Sequence, residues 1–220
     1  MKLLSVNISP PKLVEINGQQ VLTAIDKTAT KGSVWLSKLT LVGDGQADSS
    51  VHGGEHQAAY CYLFKHYAYW QSRLNLTDLA YGAFGENFTI SGLLEEDICI
   101  GDILKIGDAK IGAVVQVTMP RIPCFKFGHK IGHPNILEEF LRSGRSGFYL
   151  RVIQTGEIGA GDNIIVMDRD TQAISILTTL GMQKLDEGDS SLLKRALTVT
   201  SLTPLLKQIF EARLTDIDNV

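Results

Sequence analysis

Residues 13–23 read LVEINGQQVLT, two apolar-bearing arms on either side of Asn17-Gly18. Asn-Gly tolerates the positive φ angles of a type I′ turn, whose twist matches that of paired strands, so the segment predicts a two-residue β-hairpin. The same texture continues along the chain. From Met1 to about Met167, short runs of β-branched and aromatic residues are punctuated by glycine, and residues 34–41, 58–63, 98–106, 109–118, 147–155 and 163–167 read as strands. A mainly β body over residues 1–168 follows.

Two segments break this pattern. KHYAYWQSRL (65–74) sets Tyr67, Trp70 and Leu74 at helical spacing, and NILEEFLR (135–142) puts Ile136, Leu137, Phe140 and Leu141 on one face. Both are expected to be helices whose stripes pack on the sheet. Beyond Met167 glycine thins and three helix starts follow. Asp170 or Thr171 opens a helix to about Leu180, Asp189 or Ser190 one to Leu197, and Thr203 with Pro204 one to about Leu214. Residues 169–220 therefore read as a three-helix extension. Such a tail is too short to bury a strong core alone, so it is expected to pack on the β body or on another subunit, which makes a homodimer one expected assembly.

Composition excludes several functions. The 220 residues are 44% hydrophobic and 20% charged with a formal net charge of −3, so the chain is neither disordered nor a bulk electrostatic binder of nucleic acid polymers. No apolar run approaches the roughly 20 residues of a membrane-spanning helix. Residues 1–18 do not read as a signal peptide, because Ser5, Asn7 and Ser9 interrupt the apolar run and Pro10-Pro11 end it. A cytoplasmic location is expected. Cys61, Cys99 and Cys124 are odd in number and widely spaced, which does not suit a disulfide framework.

The polar chemistry gathers in three loops. VGDGQADSSVHGG (42–54) carries four glycines together with Asp44, Asp48 and His52, and its backbone can turn N–H groups toward an anion, notably at Gly53 and Gly54. A plain hairpin connection, with Asp44 and Asp48 bonded to their own backbone, is the alternative. YGAFGEN (81–87) brings Glu86 and Asn87 side by side, as ligand contacts or as a structural glycine turn. MPRIPCFK (119–126) stiffens the backbone around Cys124 with two prolines, while Arg121 and Lys126 favour its thiolate. A thiolate serves as nucleophile or soft-metal ligand. Cys61 and Cys99 read as buried strand cysteines. The pairs His52/His56 and His129/His133 bracket glycines, so neither displays two imidazoles on one helical face, and a zinc site is not expected. A Cys124, His52 and Asp44 or Asp48 hydrolase triad stays a runner-up without an oxyanion or elbow signature.

GDGQAD, then VHGG, then AFGEN, then PRIPC followed by Lys126, in this order, resembles the MOSC-domain family, proteins similar to the C-terminal domain of molybdenum cofactor sulfurase. The likeness is greatest to the stand-alone bacterial YiiM-like branch, which carries a small three-helix extension, and it covers nearly the whole chain. It implies a closed, strand-rich, β-barrel-like domain with Cys124 matching the cysteine thought to bind the sulfur or the molybdenum of the cofactor. It also implies molybdenum cofactor (molybdopterin) chemistry, reduction of N-hydroxylated compounds such as hydroxylated base analogues, and a separate reductase as electron donor, with pyridoxal phosphate not expected. Arg121, Lys126, Gly53 and Gly54 would hold the pterin phosphate, and Asp44, Glu86 and Asn87 would contact pterin or substrate. His52 would relay protons. A carrier of cofactor or persulfide sulfur, without turnover, is the alternative under the same resemblance.

Overall fold

The computed structural model describes residues 1–47, 53–183 and 189–218. Its strands are β1 (Lys2–Ile8), β2 (Lys12–Ile16), β3 (Gln19–Thr23), β4 (Thr28–Ala29), β5 (Val34–Leu36), β6 (Ala59–Leu63), β7 (Phe88–Ser91), β8 (Ile103–Ile106), β9 (Ala113–Pro120), β10 (Phe148–Gln154), β11 (Gly156–Ile158) and β12 (Ile164–Asp168). The α-helices are α1 (Tyr67–Leu74), α2 (Phe125–Ile131), α3 (Ile136–Arg142), α4 (Ile176–Met182), α5 (Ser190–Leu197) and α6 (Pro204–Asp218). Eight strands form one mixed sheet in the order β12-β8-β9-β10-β6-β7-β1-β4, in which β6 and β7 run parallel. The pairs β2-β3 and β11-β5 form small separate ladders.

The opening hairpin forms as read. Lys12 pairs with Thr23 and Ile16 with Gln19, and Asn17 and Gly18 take φ angles of 51° and 77°. The large sheet is mainly β as expected, but its ladder is not a closed barrel. It ends at β4 and β12, and β1 meets the start of β12 through the single bridge of Lys2 with Asn163, flanked by the Leu3 N–H to Asp162 C=O bond at 2.9 Å. Several strands are shorter than read: residues 37–41 leave the ladder after β5, and residues 98–102 form a turn ahead of β8.

Two apolar clusters hold the fold. The larger joins Leu3, Phe88, Val115, Val117 and Leu150 of the sheet to Ile176, Leu193, Leu206 and Phe210 of the C-terminal helices, so the tail shares the core of the body. The smaller is aromatic: Tyr60, Tyr62, Tyr67, Trp70, Phe84, Phe127 and Phe140 lie between β6 and helices α1, α2 and α3, with the Trp70 indole N–H donating to the Tyr62 hydroxyl at 2.6 Å. Each such ring contributes on the order of 2–3 kcal/mol by leaving water.

The tail starts differently from the sequence reading. Residues 170–173 form a turn, closed by the Ala173 N–H to Asp170 C=O bond at 3.0 Å with Ala173 at a φ of 47°; the Ile100 N–H then bonds the Ile174 C=O at 2.9 Å, and α4 begins at Ile176. Ser175 caps it by accepting the Thr178 N–H. Asp189 caps α5 through the N–H groups of Ser191 and Leu192, and Thr203 caps α6 through that of Leu206. Asp102, fully buried, ties body to tail by accepting the Asp170 N–H at 3.1 Å and facing Arg169 Nη1 at 3.3 Å. Among the described residues no helix is long and apolar enough to cross a membrane.

Candidate functional site

A cleft open to solvent lies where β6, β7 and β10 begin and β9 ends. Because β6 and β7 are parallel, their first residues stand at the same edge of the sheet, which brings Tyr60 and Asn87 together: the side-chain Oδ1 of Asn87 accepts the Tyr60 N–H at 3.1 Å. The 42–47 segment, the residues after β3, and the β9-α2 connection complete the walls.

Cys124 lines this cleft, half-buried. Its loop is shorter than expected, since Met119 and Pro120 still belong to β9 and α2 starts at Phe125. Cys124 takes the N-cap position with an extended backbone (φ −118°, ψ 175°), and its carbonyl accepts the N–H groups of Phe127 and Gly128. The thiol is thus fixed between a strand end and a helix start. Cys61 and Cys99 are buried as expected, and burial raises both thiol pKa values, well above normal for Cys61. Cys99 lies in the turn ahead of β8 rather than in a strand, bridged to Ser175.

Arg121 lies under the same wall, 5% exposed. Its guanidinium stacks 4.6 Å from the ring centroid of Phe127 and 4.8 Å from that of Tyr60. Burial works against its charge, but Tyr60, Tyr149 and Cys124 outweigh it and hold the pKa above the ordinary arginine value. Nη1 of Arg121 is buried and has no hydrogen-bond partner among the described residues. A buried guanidinium nitrogen without an acceptor is costly, and an anionic ligand in the cleft would relieve it. Lys126 also lines the cleft, with its ammonium donating to the Leu22 C=O at 3.1 Å.

The remaining expected residues separate. Asp44 and Asn87 line the cleft and are bonded to each other, Asn87 Nδ2 donating to Asp44 Oδ2 at 2.8 Å. Asp44 is also clamped to Lys27, whose Nζ lies 2.6 and 2.7 Å from its two oxygens. An aspartate so committed is not the third member of a cysteine-hydrolase triad. Gly53 lines the cleft at a φ of 116°, but the glycine N–H groups do not face an open anion site: Gln46 Oε1 takes that of Gly54 at 3.0 Å and Gln57 Oε1 that of Gly53 at 3.5 Å. Glu86 is absent from the lining. Its carboxylate is fully buried and accepts the Tyr67 O–H, the Thr89 O–H at 2.9 Å and the N–H groups of Gly82 and Phe84 at 2.9 and 3.0 Å, so it fastens the YGAFGEN loop instead of meeting a ligand. His52 and Asp48 fall outside the described residues.

Sequence reasoning missed Lys27, Gln57, Tyr60 and Tyr149, which all face the cleft. Tyr60 and Tyr149 are tilted against each other with centroids 5.3 Å apart, and burial pushes both phenol pKa values up. An aromatic inside AAYCYL signals core, which Tyr60 also is. Lys27, in IDKTAT, carries no motif at all. Among the described residues no three His, Cys, Asp or Glu side chains converge as a metal cage, so a metal here would rest on Cys124 and on ligands brought with it.

A MOSC domain match spans residues 48–165 of this chain. YflK of Bacillus subtilis is 35% identical over 201 residues, covering 91% of this chain and 89% of that protein. A protein of Gibberella moniliformis named reductase is 34% identical over 201 residues, 90% of this chain but 35% of its own length. The crystal structure of YiiM from Geobacillus stearothermophilus superposes with a TM-score of 0.79 at 32% identity, covering 97% of this chain and 98% of that one. With a domain match over more than half of its residues, these identities and this likeness of fold, the chain belongs to the MOSC domain family.

Proposed function

We propose that this protein is a molybdenum-cofactor-dependent oxidoreductase that reduces N-hydroxylated compounds in the cleft, with Cys124 as the protein ligand of the metal and a separate reductase as electron donor. The observation that carries the reading is the pairing, on one cleft, of a half-buried thiol with a buried arginine whose Nη1 lacks an acceptor among the described residues. The donor set fits such a cofactor. A thiolate suits a soft metal–dithiolene centre, and Arg121 and Lys126 suit its phosphate. When bound, the cofactor supplies a metal that passes between oxidation states two electrons apart.

The chain's own residues bind and orient. The tilted Tyr60 and Tyr149 rings offer an apolar wall to a flat heterocycle, and Asn87 and Gln57 offer polar contacts at its edge. Membership of the MOSC family and the likeness to a protein named reductase support the reading.

The test uses protein made in a host that synthesises the cofactor. Wild-type protein is expected to carry molybdenum and fluorescent pterin and, given a competent reductase, to convert an N-hydroxylated base to the amine. Cys124→Ser is expected to keep its fold and lose at least a hundredfold in turnover. Cofactor-free protein, with Cys124→Ser indistinguishable from wild type, would sink the proposal, whereas bound cofactor with no reduction of any N-hydroxylated base would make the protein a carrier.

A further inference from the structure

Lys27 is an ammonium on the cleft wall with its side chain only 9% exposed. We propose that Lys27, held in place by Asp44, donates a hydrogen bond to the oxygen of a substrate N–OH group and gives that oxygen the proton with which it leaves as water. The proposal rests on the reading of the cleft as an N–O reductase site.

The geometry supplies both a fixed position and a spare proton. Nζ carries three N–H bonds, and its acceptors among the described residues are the two oxygens of one carboxylate, Asp44, at 2.6 and 2.7 Å. Asp44 is itself immobilised: it accepts the Ser9 N–H at 2.8 Å, the Asn87 amide at 2.8 Å and the Thr40 hydroxyl at 3.3 Å. A carboxylate held by this many donors cannot swing with its lysine. One lysine N–H is left over, on a side chain that lines the cleft.

The other described proton sources on the walls are less suited. The Tyr60 O–H is committed to the Ser146 C=O at 2.8 Å, and burial makes both Tyr60 and Tyr149 weaker acids than a free phenol. Arg121 does not release its proton in this pH range. Lys126 is turned to the Leu22 carbonyl. The charged groups facing Lys27 are Asp44, Lys130 and Glu86; burial, the strongest influence, brings its pKa below the ordinary 10.5, Lys130 acts in the same direction, and Asp44 and Glu86 oppose it. Its proton is correspondingly easier to give up.

The reaction balances as R–NHOH + 2 e⁻ + 2 H⁺ → R–NH₂ + H₂O. The N–O bond breaks, two electrons come from the reductase, the Lys27 proton joins the departing hydroxyl to make water, and a solvent proton completes the amine. Lys27 then regains a proton from solvent.

Binding is measured first, on protein as purified and without reductant, so that nothing turns over. Calorimetric titration compares N6-hydroxyadenine with adenine. Wild type is expected to favour the hydroxylated base about tenfold, the scale of one hydrogen bond from a charged donor. The double variant Lys27→Met/Asp44→Asn, which removes the ammonium without stranding a buried carboxylate, is expected to bring that preference, read as the ratio of the two affinities, within twofold. Lys27→Arg keeps the ion pair but not a transferable proton, so turnover is expected to fall at least a hundredfold with KM within threefold. A wild type without preference, a preference that survives in the double variant, or Lys27→Arg within threefold of wild-type turnover would overturn the proposal. So would His52→Gln losing turnover where Lys27→Arg keeps it. Failure of the reductase reading has a different signature: the tenfold preference is present, yet loaded wild type with reductant forms no amine, and the proton transfer falls with it.

Discussion

Glu86 illustrates how one side chain can be legible in type and illegible in role. A carboxylate beside an amide after two glycines reads equally as a ligand contact or a loop anchor, because the donors that decide it, the N–H groups of Gly82 and Phe84, are available to any tight turn. The remaining two come from Tyr67 and Thr89, whose approach depends on how α1 and β7 pack. Glu86→Gln sets an amide N–H₂ against these donors, and urea unfolding is expected to show a loss of about 2–3 kcal/mol. Unchanged stability would mean the loop is fastened elsewhere. Arg121 and Cys124 were readable because prolines and flanking cations are local features. The rings that stack on Arg121 come from residues 60, 127 and 140, and no local pattern announces them.

At the scale of elements, the Asn17-Gly18 hairpin and the Asp189 and Thr203 caps were readable because each is decided within a few residues. Helix α2 was not. FKFGHKI holds a glycine and aromatics, poor helix formers, and the segment becomes helical because Phe127 is pulled into the aromatic cluster beside Arg121. Gly128 is therefore a helix-interior glycine without a structural need for it: a Cβ there would meet Leu137 at 3.6 Å, an ordinary contact, with no positive φ. Gly128→Ala is expected to raise unfolding free energy by about 0.5–1 kcal/mol, with the cleft unaltered. A fall in stability would show that α2 is held away from regular helix. The start of α4 was misplaced for the opposite reason, since Asp170, Ile174 and Ser175 on either side of a tight turn are held by bonds to residues 98–102 that are distant in sequence.

The whole molecule shares one large core between sheet and tail, so the boundary near residue 168 marks a change of texture rather than a separable unit of packing. The buried acids of the two apolar clusters set a global response to alkali. Tyr60, Tyr62, Tyr67, Tyr149 and Cys61 all have folded pKa values raised, chiefly by burial, above the ordinary 10.0 and 9.0. Their neutral forms are common to folded and unfolded chains below pH about 9. Above it the unfolded chain loses protons that the folded one keeps, so stability falls as pH rises through 9 to 11. Lys27 and Lys130, with their lowered pKa values, have the opposite sign but are two groups against five. Thermal unfolding followed from pH 7 to 11 is expected to show Tm descending steeply past pH 9, and a flat profile would contradict the burial of these phenols.

The parallel pairing of β6 with β7 has a practical side. A parallel neighbour obliges the chain to leave the sheet after Leu63, at the edge opposite the cleft, and come back to the cleft edge at Asn87, and the outer bend of that excursion, residues 75–78, is exposed. The chain on either side of the bend is fixed, Tyr67 and Trp70 in the aromatic cluster and residues 82–84 by Glu86, so the bend alone stands clear of the site. A fluorophore, affinity tag or grafted epitope introduced at residues 75–78 would ride on the protein as a reporter, leaving Tyr60 and Asn87 in register.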